Sequence, residues 1–115
     1  MKFMKKITLV LTLAAIQAVH AGPTLSAKES AAALDLAKAN GCLSCHALDE
    51  KIVGPAYSKV AAKYSDDADA AASLAQSIRN GSQGKWGRIP MPSHGTMNQE
   101  DINLLARWVL TIKAN

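Results

Sequence analysis

The chain has 115 residues, room for one domain and not for a second core of any size. Hydrophobic residues make up 49% and aromatics only 4%, so the apolar content is chiefly alanine and leucine, which favours helices but leaves the core short of bulk that something other than side chains must supply. The 13 basic and 9 acidic residues give a formal charge of +4, which taken alone suggests an anionic partner, and no apolar run reaches transmembrane length.

The charge does not survive a look at the first 21 residues, which read as an export signal. Lys2, Lys5 and Lys6 form a positive n-region. Ile7 to Val19 is an apolar stretch of 13 residues, too short to span a bilayer comfortably. Val19-His20-Ala21 fits the small-residue cleavage pattern, and the absence of cysteine at the cut argues against a lipoprotein. Cleavage after Ala21 leaves a single domain, Gly22 to Asn115, of 94 residues with ten basic groups against nine acidic ones. That near-neutral balance removes nucleic acid as an expected partner. It also predicts an exported protein with no stable membrane insertion once the signal is gone.

The remainder reads as helices joined by loops. Ser26 and Glu29 form a capping box, and the helix they open runs to a stop at Asn40-Gly41. A second, short helix is expected from Pro55 toward Tyr64, since proline's missing N–H costs nothing at a helix start. Ser65 is expected to cap a third, with Asp66 and Asp67 in its first turn and Ala71, Leu74, Ala75 and Ile78 on one face. Arg79-Asn80-Gly81 closes it. Gly81 to Gly95 holds four glycines and two prolines in 15 residues and reads as a loop. Asn98 caps the last helix, whose apolar stripe is Ile102, Leu105, Val109 and Ile112, widened by Leu104 and Trp108. No run of alternating strand residues stands out, so the expected fold is all-α with about four helices.

The chemistry is concentrated in Cys42-Leu43-Ser44-Cys45-His46, the C-x-x-C-H signature of covalent haem attachment. Two intervening residues set the sulfurs at the separation of the two haem vinyl groups, and the following histidine is directed beneath the porphyrin toward the iron. Three other readings compete. A disulfide is possible in an exported protein. A thioredoxin-type redox pair needs β-strands that the sequence lacks. Zinc needs two further ligands at suitable spacing, and none is apparent. Haem also accounts for the poor aromatic content, because a porphyrin is itself a large flat apolar body.

Iron then takes a sixth ligand or keeps an open site. Met91, His94 and Met97 are the candidates. A lone methionine is more often core filler, but Met91 lies between Pro90 and Pro92, which stiffen the backbone around it. Sequence chemistry favours Met91 over His94, although histidine is itself a common haem ligand.

Four blocks resemble the small bacterial class I cytochromes c, particularly the periplasmic five-fifty-one/five-fifty-two type. They are Gly41 to Ala47, Lys51 to Tyr57 continuing through Val60-Ala61-Ala62-Lys63, Asn80 to Gly84 followed by Trp86-Gly87 and Ile89-Pro90-Met91-Pro92, and Leu105 to Leu110. The resemblance covers nearly all of Gly22 to Asn115. It implies the class I cytochrome c fold around one covalently attached haem c, held by Cys42 and Cys45 with His46 and Met91 as axial ligands. It further implies that the Pro55 carbonyl accepts a hydrogen bond from His46 and that the Trp86 indole N–H reaches a haem propionate; the competing reading of Trp86 is simple core. Trp108 reads as core. Where relatives often carry asparagine three residues after the methionine, this chain has His94.

The function implied is one-electron transport, not catalysis. The carrier would be a periplasmic monomer, cycling Fe(II) and Fe(III) between transient respiratory partners such as a nitrite reductase or a terminal oxidase. An enzyme or gas-binding haem protein would instead need an open iron site, with His94 as the only nearby distal acid/base group. Lys51, Lys85 and Arg88 are the basic residues nearest in sequence to the haem and Met91 segments, and are expected to form a sparse docking rim.

Overall fold

The computed structural model describes residues 12–16 and 23–115. Lys2, Lys5 and Lys6 of the expected signal, and its cleavage site Val19-His20-Ala21, lie outside the described residues. The described residues form four α-helices in chain order, α1 (Ala27–Ala39), α2 (Tyr57–Lys63), α3 (Ala70–Asn80) and α4 (Gln99–Val109), with one 3₁₀ turn among them at Cys42–Ser44. Strand structure among the described residues is confined to two isolated bridges, His46 with Lys51 and Ser82 with Met91. No helix among them is long and apolar enough to cross a membrane.

Local chemistry explains where most helices begin. At α1 the Ser26 hydroxyl accepts from the Glu29 amide at 3.1 Å, and the Glu29 carboxylate accepts from the Ser26 amide at 2.9 Å. Two amides otherwise orphaned at a helix start are thereby satisfied. At α4 the Asn98 side-chain oxygen accepts from the Asp101 amide at 2.8 Å, and Glu100 and Asp101 lie in the first turn where the helix dipole favours negative charge.

Two expected starts are displaced. The second helix begins at Tyr57, not Pro55, because Ala56 is extended and the Pro55 carbonyl is turned to His46. The third begins at Ala70. The Ser65 hydroxyl donates back to the Ala62 carbonyl at 3.0 Å instead of capping forward, and the Asp67 carboxylate accepts from the Asp69 amide at 2.8 Å. Those side-chain bonds fold residues 65–69 into turns. Asp66 and Asp67 therefore precede the helix and do not sit in its first turn.

The core is built on α4, which packs against α1, α2 and α3. Ala33 and Ala37 of α1 and Ile102 and Ala106 of α4 are fully buried. Alanines at this crossing let the two helix backbones approach closely. Leu105, Trp108 and Val109 continue the α4 stripe and meet Leu74 and Ala75 of α3 and Tyr57 and Val60 of α2. Arg107 and Glu29 approach to 3.7 Å, but both are exposed and so contribute little. Ile102 is the one large side chain among the described residues with essentially no exposure. Ile102→Ala leaves a cavity in this core and is expected to cost about 3 kcal/mol, read from urea unfolding.

Candidate functional site

The first wall of the site is laid down between α1 and α2. Gly41, at φ 72°, turns the chain out of α1 into the 3₁₀ turn. The Cys42 carbonyl accepts from the amides of both Cys45 and His46, at 3.2 and 3.0 Å. The Cys45 carbonyl in turn accepts from Val53 and Gly54, at 3.2 and 2.7 Å, which folds the intervening residues back on the motif. Amides of Tyr57 and Ser58 donate to the carbonyls of Ala47 and Leu48, at 3.0 and 2.9 Å, and stitch this loop to the start of α2.

His46 is held from three sides. Its Nδ1 lies 2.7 Å from the Pro55 carbonyl oxygen. A carbonyl only accepts, so Nδ1 carries the proton, and in the neutral ring Nε2 keeps a free lone pair. The imidazole stacks on Tyr57 with centroids 4.8 Å apart and planes 18° apart, and Tyr57 meets Trp108 edge-on at 5.5 Å. On the third side is Gly54. A Cβ there would lie 2.6 Å from the His46 Cε1, so only glycine leaves room for the ring.

Cys42 and Cys45 form no disulfide with each other and are half-buried beside this ring. Burial pushes the Cys42 thiol above its ordinary value, and burial likewise raises the Tyr57 hydroxyl. A thioredoxin-type pair is carried on a β-sheet fold, and the described residues form only two isolated bridges, so that alternative does not fit. Nor do the described residues gather three His, Cys, Asp or Glu side chains as a zinc site would require.

The opposite wall comes from the loop between α3 and α4. Ser82 and Met91 exchange a pair of backbone hydrogen bonds, Met91 N–H to Ser82 O at 2.8 Å and Ser82 N–H to Met91 O at 3.1 Å. The flanking prolines have no amide to offer, so Met91 is fixed by the one amide its segment keeps. Gly81 makes the approach possible. It sits at φ 74°, and a Cβ on it would fall 2.5 Å from the Met91 carbonyl oxygen. Three residues on, the His94 amide donates to the Ile78 carbonyl at the end of α3 at 2.9 Å.

Between the walls is a cleft of about 1100 Å³, including its solvent-open mouth. Cys42, Cys45, His46 and Pro55 line one side, Met91, Pro92 and His94 the other, and Leu74, Leu105 and Val109 the apolar floor. Trp86 also lines it, with the Lys63 ammonium 4.5 Å from its ring centroid. Met97, the third sulfur or nitrogen candidate, packs against the hydrophobic core and is not among the lining residues. The His94 Nδ1 is buried with no hydrogen-bond partner, alone in this among described side chains. Of the basic rim residues, Lys51 and Arg88 are exposed, and Lys85 donates to the Ser77 hydroxyl at 3.0 Å. An apolar slot with two thiols on one side and an imidazole and a thioether lining it fits a flat tetrapyrrole attached by its edge.

Sequence reasoning singled out Cys42, Cys45, His46, Pro55, Trp86 and Met91, and all six line this cleft. It missed the steric roles of Gly54 and Gly81 and the clasp from Ser82. Gly54 stood in a quoted block, but nothing in the sequence told that a ring would lie against it.

The cytochrome c family model matches residues 30–113. Cytochrome c-552 of Nitrosomonas europaea is 51% identical over 79 residues, 69% of this chain and 77% of that protein. Cytochrome c-551 of Pseudomonas aeruginosa is 54% identical over 78 residues, 68% of this chain and 74% of that protein. The crystal structure of the Nitrosomonas europaea cytochrome c552 superposes with a TM-score of 0.67 at 50% identity, covering 70% of this chain and 99% of that one. The chain belongs to the cytochrome c family, as a small all-α class I member of the 551/552 type. The family carries covalently attached haem c, whose attachment motif Cys42 to His46 fits, and these small members are electron carriers, not enzymes.

Gly54→Ala is expected to push the His46 ring off the Pro55 carbonyl, because the new methyl and the imidazole claim the same space. The check is NMR: the His46 ring resonances should move, whereas the amide signals of Ser26 and Glu29 at the remote α1 cap stay near their parent positions.

Proposed function

We propose that the chain is an exported, monomeric, periplasmic carrier of single electrons, with haem thioether-linked at Cys42 and Cys45 and ligated by His46 and Met91. The observation that supports this most is the state of the His46 ring. One nitrogen is committed to Pro55 at 2.7 Å, the other keeps its lone pair, and the ring lines the same cleft as the clasped Met91. The haem iron supplies the one-electron Fe(II)/Fe(III) couple when bound.

Each residue then has a defined task. The Pro55 carbonyl orients the imidazole and increases its basicity as a donor. The Met91 thioether, a soft donor, favours the reduced metal and raises the potential. With both donors in place no coordination position is left for a substrate, which suits transport and not turnover. Leu74, Leu105 and Val109 keep water from the floor, and the Trp86 indole N–H would donate to a propionate of the bound haem. Ile52, Val53 and Ile89 are exposed apolar side chains in the two loops that frame the site. With the Lys51, Lys85 and Arg88 rim, they form a small contact face of the kind brief redox encounters use. The partners are respiratory proteins such as a nitrite reductase or a terminal oxidase.

Two experiments test this. Met91→Ala should abolish the iron–sulfur charge-transfer band of the oxidised protein, lower its potential and open the iron to carbon monoxide, whereas His94→Ala should keep the band. A band that survives Met91→Ala, or carbon monoxide binding in His94→Ala, points to the wrong donor. Mass spectrometry of the exported protein should give a chain starting at Gly22 plus one haem; a retained leader refutes the export reading.

A further inference from the structure

Arg79, in the last turn of α3, spends its guanidinium in an unusual way. Its Nε donates to the Gln99 side-chain oxygen at 2.9 Å, one terminal nitrogen to the Gly95 carbonyl at 3.3 Å and the other to the Met97 carbonyl at 3.3 Å. The ion pair found among the described residues is Arg107 with Glu29, so Arg79 has no carboxylate there. All three of its bonds grip one stretch, Gly95 to Gln99, and the neighbouring Ile78 carbonyl takes the His94 amide at 2.9 Å. The Met97 amide donates to the His94 carbonyl at 3.1 Å and closes the turn within that stretch.

Met91 therefore sits on a strap with two anchorages. Upstream is the paired backbone contact with Ser82. Downstream, after Pro92 and Ser93, the strap is fastened to the end of α3 by the Ile78 carbonyl and the Arg79 fork. Hydrogen bonds from a charged donor are the stronger kind, and three on one rigid planar group hold several points of backbone at once. Pro92 and Ser93 are exposed, so between the two anchorages little buried surface holds the strap, and beyond them Met97 adds its packing against the core to what Arg79 supplies.

We infer that Arg79 is a positioning residue that keeps the methionine donor in place against displacement by outside ligands. This rests on the Met91 reading above. Loosening the downstream anchorage raises the fraction of molecules with the strap open, and an outside ligand competes only for that fraction. Its apparent dissociation constant falls in proportion.

The test titrates the oxidised, haem-loaded protein with imidazole, following the iron–sulfur band. Arg79→Ala should bind imidazole about tenfold more tightly than the parent, as expected for losing charge-assisted bonds. Arg79→Lys, a point donor that cannot span three acceptors, should fall between the two. Loss of the band in Arg79→Ala before any imidazole is added is the same loosening in stronger form and also supports the inference. Ser26→Ala, which removes the remote cap of α1, controls for general destabilisation and should bind imidazole as the parent does. An unchanged titration in Arg79→Ala, or an equal gain in Ser26→Ala, overturns the inference while leaving Met91 as ligand. A parent protein without the band overturns the ligand reading, and this inference with it.

Discussion

The hydrogen bond from His46 to the Pro55 carbonyl is the constraint around which the rest of the molecule is arranged. It decides which nitrogen carries the proton, and so which is left to donate. It turns the carbonyl away from the helix ladder, which delays α2 to Tyr57. It brings Gly54 against the ring, where any side chain would collide, and sets Tyr57 face to face with the imidazole. Tyr57 in turn leans on Trp108 of α4, so the ring's orientation is tied to the main core.

The molecule divides by chemistry as well as by sequence. Residues up to α2 present two thiols and an imidazole on a tightly stitched loop. Residues from α3 onward present a thioether on a strap held by backbone pairs and one arginine. The two halves meet through α4, whose Leu105 and Val109 serve both as core and as floor of the cleft. The nitrogen side is fastened within a few residues of itself, whereas the sulfur side depends on contacts across the loop from Gly81 to Gln99. Under the proposed ligation, a donor pair built this way joins a firm half to a more easily opened one.

Features whose cause is local were legible in the sequence. Ser26 with Glu29, and Asn98 with Asp101, cap helices through partners three residues away. The Cys42 to His46 spacing names its chemistry outright. What was not legible depended on competition or on distant partners. Ser65 looked like a cap, but its hydroxyl found the Ala62 carbonyl first. Pro55 looked like a helix start until a histidine nine residues earlier claimed its carbonyl. Gly54, Gly81 and Arg79 carry no signature, because their roles exist only once a ring, a carbonyl and a strap are brought beside them. The flanking prolines set Met91 apart from Met97 in the sequence, and the packing of Met97 against the core shows where the second sulfur goes instead.

The Ser82–Met91 pairing has a consequence for how this protein can vary. It closes the loop at its base, so the stretch beyond is mechanically insulated from the sulfur. Around Gly87 and Arg88 the chain is exposed, and a Cβ on Gly87 would meet nothing within 4 Å. Lengthening a surface loop at its tip costs only a slowly growing closure entropy. Residues added there would reshape the exposed surface and leave the Ser82–Met91 pairing alone. Under the proposed function, recognition and redox tuning fall in separate parts of one short loop, and each can drift without the other.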